Sequence, residues 1–384
     1  MSEQIEIGKY VTQPQGYKAF IPNAFPPNKK IELKNNTIIR HLHAVQALSR
    51  LDGISNLVPD IDCFLEMFVL KDATSSSQIE GTRATMVDAI EAGNVERPSS
   101  VPVDADDILH YKEALKYGVA CINDNQPITL RFIRNIHKEL MTGARETQYS
   151  YPGEFRIGQN WIGGPMPSAA KFVPPPPGEL MRSLGDLERF INSEEYNAYP
   201  LVKAALIHSQ FETIHPFNDG NGRTGRMLVT LYLLATKQIG VPVLYLSSYF
   251  RKFQDVYYSR ISGYHDGDIG DWVNFFLDAV VEVANSATAV CNGISYLHDR
   301  DYEKIAQFAK TPSRTAAKIL KYLFSNPIVG IADIVKLTDM SRVTGYSAIQ
   351  RLVDVGILYP RGDNGSYGQK WEYRDYINLF EKAQ

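Results

Sequence analysis

The densest reactive chemistry in the chain is the run His215-Pro-Phe-Asn-Asp-Gly-Asn-Gly-Arg-Thr-Gly-Arg226. A glycine-rich turn that opens a helix presents unpaired backbone N–H groups and the positive end of the helix dipole to an anion. Arg223 and Arg226 lie three residues apart on the first turn of such a helix. Guanidinium groups there suit phosphate oxygens as paired donors. Asp219 is a hard oxygen ligand beside that nest, the kind that suits Mg²⁺ bridging to phosphates. His215 closes the preceding apolar segment and has the titration range of a general base. An anion cradle, a metal ligand and a base describe chemistry at the phosphates of a nucleotide.

Other readings of the same residues fit less of the pattern. Gly220-x-Gly222-x-x-Gly225 matches the dinucleotide fingerprint in form, but that fingerprint needs a strand before it and an acid about 20 residues later. Here a helical segment precedes it and the region near Tyr245 holds no acid. A P-loop would need Lys and Ser or Thr where Arg226 and Met227 stand. A plain helix-turn-helix connection, with a capping Asp and a core His, accounts for each residue singly rather than for the set.

The loop is held between two apolar helical segments, Leu201–Ile214 and Arg226–Thr236. Upstream, the pattern is helical from about Thr37 to Ala92, with apolar stretches at Ile38–Leu51 and Ile61–Leu70, and again over Asp106–Asn123 and Thr129–Met141. The first thirty residues, with Pro14, Pro22, Pro26 and Pro27, read as an extended arm. Phe155–Ile162 alternates and predicts one arm of a β-hairpin, with Lys171–Val173 as the other, ended by the run Pro174–Pro177. Helices are expected over Gly178–Ser193, Ser247–Gly263 and Asp271–Leu297. After Thr311 the pattern resets. Short helices at Ala316–Phe324, Ile331–Leu337 and Ser341–Val355, a turn at Gly362–Gly365 and a strand at Gln369–Tyr373 make a winged-helix layout.

The 384 residues allow two or three domains. Forty basic against 43 acidic side chains exclude a wholesale polyanion binder but leave room for a local basic patch. The tail from 311 carries ten Lys or Arg against seven Asp or Glu, with Arg342, Thr344, Tyr346, Gln350 and Arg351 on its candidate recognition helix and Arg361 and Lys370 on the wing. That excess is modest for tracking DNA phosphates. Cys63, Cys121 and Cys291 form no paired framework, which fits a reducing, cytoplasmic setting. Met1–Gln13 lacks an apolar targeting segment, and Met227–Ala235 and Trp272–Val290 are too short or carry acids such as Asp278 and Glu282, so no membrane span is expected.

The His215–Arg226 run matches every position of His-Pro-Phe-x-Asp-Gly-Asn-Gly-Arg-x-x-Arg, and so resembles the signature of the Fic (Fido) family of AMP-transferring enzymes. The resemblance implies a mainly α fold: a Fic-type helical core with a β-hairpin flap and a small C-terminal winged-helix domain. It divides the chain into an N-terminal helical region at 1–125, the catalytic domain at 126–300 and the winged helix at 311–384. It implies that His215 deprotonates a target Tyr, Thr or Ser hydroxyl, which attacks the α-phosphate of ATP and releases pyrophosphate. Asp219 would hold Mg²⁺. Gly220, Asn221 and Gly222 would form the anion hole, with Thr224 and Gly225 completing the nucleotide-binding turn. Arg223 would reach the β-phosphate region, Arg226 the γ-phosphate, and Phe217 would lock the loop from inside. Ile162, Gly163 and Gly164 would form the target-facing edge of the flap, and Tyr257 and Tyr258 resemble the family's aromatic pair near adenine.

Ser76-Ser-Gln-Ile-Glu80-Gly81 resembles the inhibitory motif of the same family. A carboxylate from Glu80 on Arg226 would occupy the fork meant for the γ-phosphate, with Ser76 fixing it. A helix-terminal Glu followed by Gly81 as an ordinary stop is the plainer reading. The expected partners are a hydroxyl-bearing target protein or the chain itself. A homodimer and DNA contact through the tail stay open. So do two other functions: a DNA-binding regulator whose core senses nucleotide, and removal of AMP with Glu80 aligning a water.

Overall fold

The computed structural model describes residues 6–26, 32–144, 151–362 and 368–382. The N-terminal segment is not a simple extended arm. Its strands β1 (Gly8–Thr12) and β2 (Lys18–Pro22) pair antiparallel. Gly16, at φ +86°, makes the tight turn between them, and Ala19 and Phe20 anchor β2 in the core.

Helices α1 (Asn35–Ser55), α2 (Ile61–Ile79), α3 (Met86–Ala92), α4 (Ala105–Asn123) and α5 (Leu130–Met141) follow. Thr85 and Asp88 form a reciprocal cap that starts α3, so the chain turns sharply just after Glu80. The central helices are α6 (Pro177–Asn192), α7 (Pro200–Ile214) and α8 (Asn221–Ala235). Both α7 and α8 are buried on nearly every face, as their apolar sequences require. The helix expected over Ser247–Gly263 is two helices, α9 (Ser247–Lys252) and α10 (Gln254–His265). Phe253 leaves helical geometry between them (φ −115°, ψ 42°), and the bend stacks Tyr257 on Phe250 at 4.7 Å.

Helix α11 (Ile269–Ala306) runs 38 residues and packs along α1. It is long and apolar enough by composition to cross a membrane, but half of its most apolar window is buried inside the fold. Its Trp272 is fully buried and donates to Ala205 O at 2.8 Å, which makes it a core helix of this structure.

The C-terminal part comprises α12 (Lys310–Leu323), β3 (Ile328–Gly330), α13 (Ile331–Thr338), α14 (Arg342–Asp354), β4 (Tyr359–Arg361), β5 (Lys370–Glu372) and α15 (Arg374–Glu381). Its antiparallel sheet has the order β3-β5-β4. The turn expected at Gly362–Gly365 runs past Gly362 outside the described residues. This part docks on α2, where Phe64 meets Phe324 at 4.6 Å and Phe68 meets Phe380 at 5.2 Å. A second contact joins Arg361 to Glu91 at 2.9 Å, beyond the end of α2.

The hairpin expected between Phe155–Ile162 and Lys171–Val173 is reduced to a single antiparallel bridge, Ile162 with Phe172. The outer arm is drawn elsewhere. Arg156 N–H donates to Pro216 O at 2.9 Å, so this segment pairs with the reactive loop instead of with a second strand. On its far side, Val173 O accepts from Phe20 N–H of β2 at 2.8 Å.

Candidate active site

Helix α7 ends at His215, which adopts left-handed geometry (φ 49°, ψ 62°) and turns the chain into the loop. The carbonyls of a helix end need partners. A buried arginine supplies them: Arg156 Nε donates to His215 O at 2.9 Å, and its Nη2 donates to Pro175 O at 2.6 Å and Ile214 O at 3.3 Å. Asn160 Nδ2 adds His215 O at 3.1 Å and Phe217 O at 2.9 Å.

The loop is closed on itself by Asn221. Its Oδ1 accepts from Phe217 N–H at 2.8 Å and its Nδ2 donates to Phe217 O at 2.9 Å. The buried Phe217 ring stacks on His137 at 3.6 Å. His137 Nδ1 accepts from Gly153 N–H at 2.9 Å, which leaves the proton on Nε2 to donate to Asp219 O at 3.0 Å. Burial pushes His137 down to about 4, consistent with this neutral form. Gly220 sits at φ +75°, and a Cβ there would come within 2.9 Å of Met141 Sδ. Helix α8 then begins at Asn221, so its first-turn N–H groups have no intrahelical acceptor.

Charge is concentrated under this loop. Burial, reinforced by the Arg156 cation, pushes His215 down to about 4, so its imidazole is neutral at pH 7 and able to accept a proton. Burial raises the Glu212 carboxyl to about 7 against the pull of Arg226. Burial alone would lower Arg226, but Glu80, with Tyr257 and Glu212 behind it, holds the guanidinium above its ordinary range.

Asp72, Ser76 and Glu80 recur every four residues and so share one face of α2 and its end. Arg226 Nε donates to Ser76 Oγ at 2.8 Å, and Nη2 donates to Ser76 O at 3.0 Å and to Glu80 Oε1 at 2.6 Å. A Cβ on Gly222 would overlap Glu80 Oε1, so the carboxylate lies directly over the mouth of the loop. Gly81, at φ +96°, takes the left-handed turn that stops α2 there. Below, Asp72 Oδ2 accepts from Tyr111 O–H at 2.6 Å and Oδ1 from Ser247 N–H at 3.2 Å, tying α2 to α4 and α9.

A sequence model of the Fic/DOC family matches residues 127–233, and one of the Fic/DOC family N-terminal region matches 39–120. The chain thus carries a Fic/DOC domain together with that family's N-terminal region. Among curated proteins it is similar to protein adenylyltransferase Fic of Aedes aegypti, 33% identical over 174 residues, which is 45% of this chain and 32% of that protein. It is likewise similar to the protein of the same name in Culex quinquefasciatus, at 31% over 174 residues, again 45% of this chain and 32% of the other. The chain thus spans about a third of the length of these curated relatives. A Fic family protein from Desulfovibrio desulfuricans shares the fold at a TM-score of 0.58 and 18% identity, covering 89% of this chain and 97% of that one. A Fic domain containing signaling protein from Bacteroides thetaiotaomicron does so at 0.53 and 21%, covering 65% and 97%.

The structure gathers His215, Asp219, Gly220, Asn221, Gly222, Arg223 and Arg226 around one mouth and brings Ser76, Glu80 and Gly81 to it from α2. Three expected nucleotide contacts need correction. Tyr257 is 2% exposed, stacked on Phe250 and bonded to His208 Nε2 at 2.9 Å, so its side chain faces the core; Tyr258 is the exposed ring of the pair. Thr224 Oγ1 donates back to Gly220 O at 2.8 Å and also turns inward. Gly225 serves packing: a Cβ there would stand 2.7 Å from Glu212 Oε1. Arg223 is buried and reaches Asp219 Oδ2 at 3.2 Å.

The metal expectation passes a local test. Among the described residues no cluster of three or more His, Cys, Asp or Glu forms a metal cage. Mg²⁺ that arrives with nucleotide phosphates needs only one or two carboxylates. Asp219, with a side chain 38% exposed at the mouth of the anion nest, fits that demand.

Arg156, Asn160, His137 and Glu212 also build the site, and the motif run does not announce them. Signals for two were present. His137 lies on the apolar face of Phe132, Ile133, Ile136 and Leu140, and Glu212 is the single acid of helix α7.

Proposed function

We propose that this Fic protein transfers AMP from ATP to a Tyr, Thr or Ser hydroxyl of a target protein or of itself, releases pyrophosphate, and is restrained by Glu80. The observation that carries this reading is Glu80 Oε1 at 2.6 Å from Arg226 Nη2, beside a neutral, buried His215. In the transfer, the target oxygen attacks the α-phosphorus, its proton passes to His215, and the bond to the pyrophosphate oxygen breaks. The N–H groups from Gly220 to Gly222, at the start of α8, stabilise the charge that develops on the phosphate. Asp219 would hold Mg²⁺, and the ion would supply charge neutralisation at the phosphates. Arg226 takes the γ-phosphate once Glu80 leaves, and Arg223 the β-phosphate once it turns from Asp219. Tyr258 flanks the adenine. A target backbone adds to the edge at Ile162, Gly163 and Gly164.

The division into 1–125, 126–300 and 311–384 belongs to the same proposal. Three helices over a three-stranded sheet support a winged-helix reading of the last unit. DNA contact by it would have to compete with Arg361–Glu91 and Arg342–Glu96, the latter at 3.9 Å. We place the protein in the cytoplasm, in keeping with free Cys63, Cys121 and Cys291.

Incubation with labelled ATP and Mg²⁺, followed by mass spectrometry of the protein and of lysate, tests the proposal. Glu80→Gly is expected to gain AMP adducts and His215→Ala to lose them. Absence of any adduct with Glu80→Gly would overturn it, and release of AMP from a modified target by the unaltered chain would reassign the reaction to removal.

A further inference from the structure

His215 and Glu212 lie three residues apart at the end of α7, and the left-handed turn at His215 folds its imidazole back over the last helical turn. His215 Nδ1 stands 3.9 Å from Glu212 Oε2. Both groups are nearly enclosed, with side chains 19% and 11% exposed. His215 Nδ1 and Glu212 Oε1 are both buried atoms without a hydrogen-bond partner. Nδ1 faces the other carboxyl oxygen, Oε2, so a small shift of the Glu212 carboxyl would pair the two groups and relieve the cost of an unpaired buried nitrogen. Apo active sites commonly hold such pairs slightly too far apart, and they tighten when substrate binds. The missing side chain of Gly225 gives the carboxyl its room.

We propose that Glu212 is the positioning residue of His215: its carboxylate accepts Nδ1–H and so leaves Nε2 as the basic nitrogen toward the target hydroxyl. The inference rests on the AMP-transfer reading for its consequence in catalysis, but the tautomer it sets exists without substrate. During transfer the hydroxyl proton moves to Nε2, Nδ1 keeps its own, and the imidazolium is balanced by the Glu212 carboxylate. No proton needs to reach Glu212. When pyrophosphate has left, the Nε2 proton returns to solvent.

The surroundings of Glu212 fit a carboxyl that responds to the site. Arg226 from α8 favours its charge, and Glu80 from the end of α2 opposes it. Tyr257 from α10 and His208 from α7 border it, and His208 is neutral. Arg156, from the segment backing the loop, acts on His215. When protonated, the Glu212 carboxyl donates to Nδ1 and moves the imidazole proton to Nε2, the unproductive form. When ionised it does the reverse. The main-chain carbonyl of Glu212 also faces His215, and it would give the same tautomer without any role for the side chain.

The Glu212→Gln variant separates these. Nitrogen NMR of His215 in the full chain, from pH 6 to 8.5, is expected to show the Nδ1–H form growing as pH rises, and Glu212→Gln is expected to abolish that response. In a Glu80→Gly background, Glu212→Gln is expected to lower kcat for AMP transfer roughly ten- to a hundred-fold while the KM for ATP moves less than about two-fold. Glu212→Asp should recover part of the pH response. An unchanged His215 tautomer and pH response in folded Glu212→Gln would overturn the proposal in favour of the main-chain carbonyl. Absence of AMP transfer with Glu80→Gly would instead sink the functional reading and leave the NMR result standing.

Discussion

Glu80 Oε1 and Arg226 Nη2 are 2.6 Å apart, joined across 146 residues of chain, with Arg226 buried and Glu80 part-exposed at the mouth of the loop. The ion pair joins the end of the N-terminal helical region to the first turn of the central helix. Arg226 is also held by Ser76, so the guanidinium stays in place when Glu80 moves. Glu80→Gln keeps the shape but removes the charge that a triphosphate must displace. ATP affinity is expected to rise by about ten-fold, on the scale of one charge-assisted hydrogen bond. Isothermal titration with ATP and Mg²⁺ checks it; equal affinity in both proteins would mean Glu80 does not compete with phosphate.

His137 reaches the loop from α5 with two hydrogen bonds, to Gly153 N–H and Asp219 O, and a stacked Phe217. His137→Phe retains a ring but removes both bonds and strands two buried backbone groups. The expected loss is about 2–6 kcal/mol of stability, at ~1–3 kcal/mol for each of the two unsatisfied groups. Urea unfolding measures it. AMP transfer in the Glu80→Gly background should fall as well, because Asp219 loses its anchor.

Four elements far apart in sequence converge on these contacts, and that determines what was legible beforehand. The His215–Arg226 run could be read because its chemistry is contiguous: one turn carries base, carboxylate and guanidinium groups. Ser76 and Glu80 could be read because Ser76-Ser-Gln-Ile-Glu80-Gly81 resembles an inhibitory motif and stands upstream of the complete His215–Arg226 run. Arg156 could not, because its partners are main-chain carbonyls at 214 and 215, and a carbonyl leaves no signature in a sequence. The flap strands were overread for the same reason. Alternation marked Phe155–Ile162 as a strand, but its backbone pairs with Pro216. The break at Phe253 and the hairpin before Pro22 depend on packing against distant rings, which local periodicity does not encode.

Burial holds two histidines outside the catalytic loop neutral: His208 and His265 are both pushed down to about 3. Their unfolded values lie near ~6.5, so below that pH the unfolded chain binds more protons than the native one. Their contribution to stability is full above pH ~6.5 and is lost as pH falls toward 3. The slope is about 1.4 kcal/mol per pH unit for each. His265→Gln can keep the bond to Thr213 Oγ1 while removing one titration. Urea unfolding at pH 7.5, 6 and 5 should show a shallower acid loss in the variant, by one proton. Parallel pH profiles would show that His265 does not stay neutral in the fold.

The C-terminal part grips the same helix that carries the brake. Phe380 packs edge-on to Phe68 at 5.2 Å and to Tyr376 at 5.3 Å, while Ser76 and Glu80 lie farther along α2 toward Arg226. Loosening that grip should cost stability and free the brake together. Phe380→Ala is expected to lose about 3–5 kcal/mol, the usual cost of removing a buried phenylalanine. It is also expected to raise AMP transfer several-fold over the unaltered chain, measured with labelled ATP at a temperature where both remain folded. Phe190→Ala is the control. Phe190 is equally buried and packs its ring on Phe25 and Tyr196, neither of which lies on α2, so it should lose comparable stability without any gain in labelling. Equal labelling in the two variants would mean that the C-terminal part stabilises α2 without bearing on Glu80.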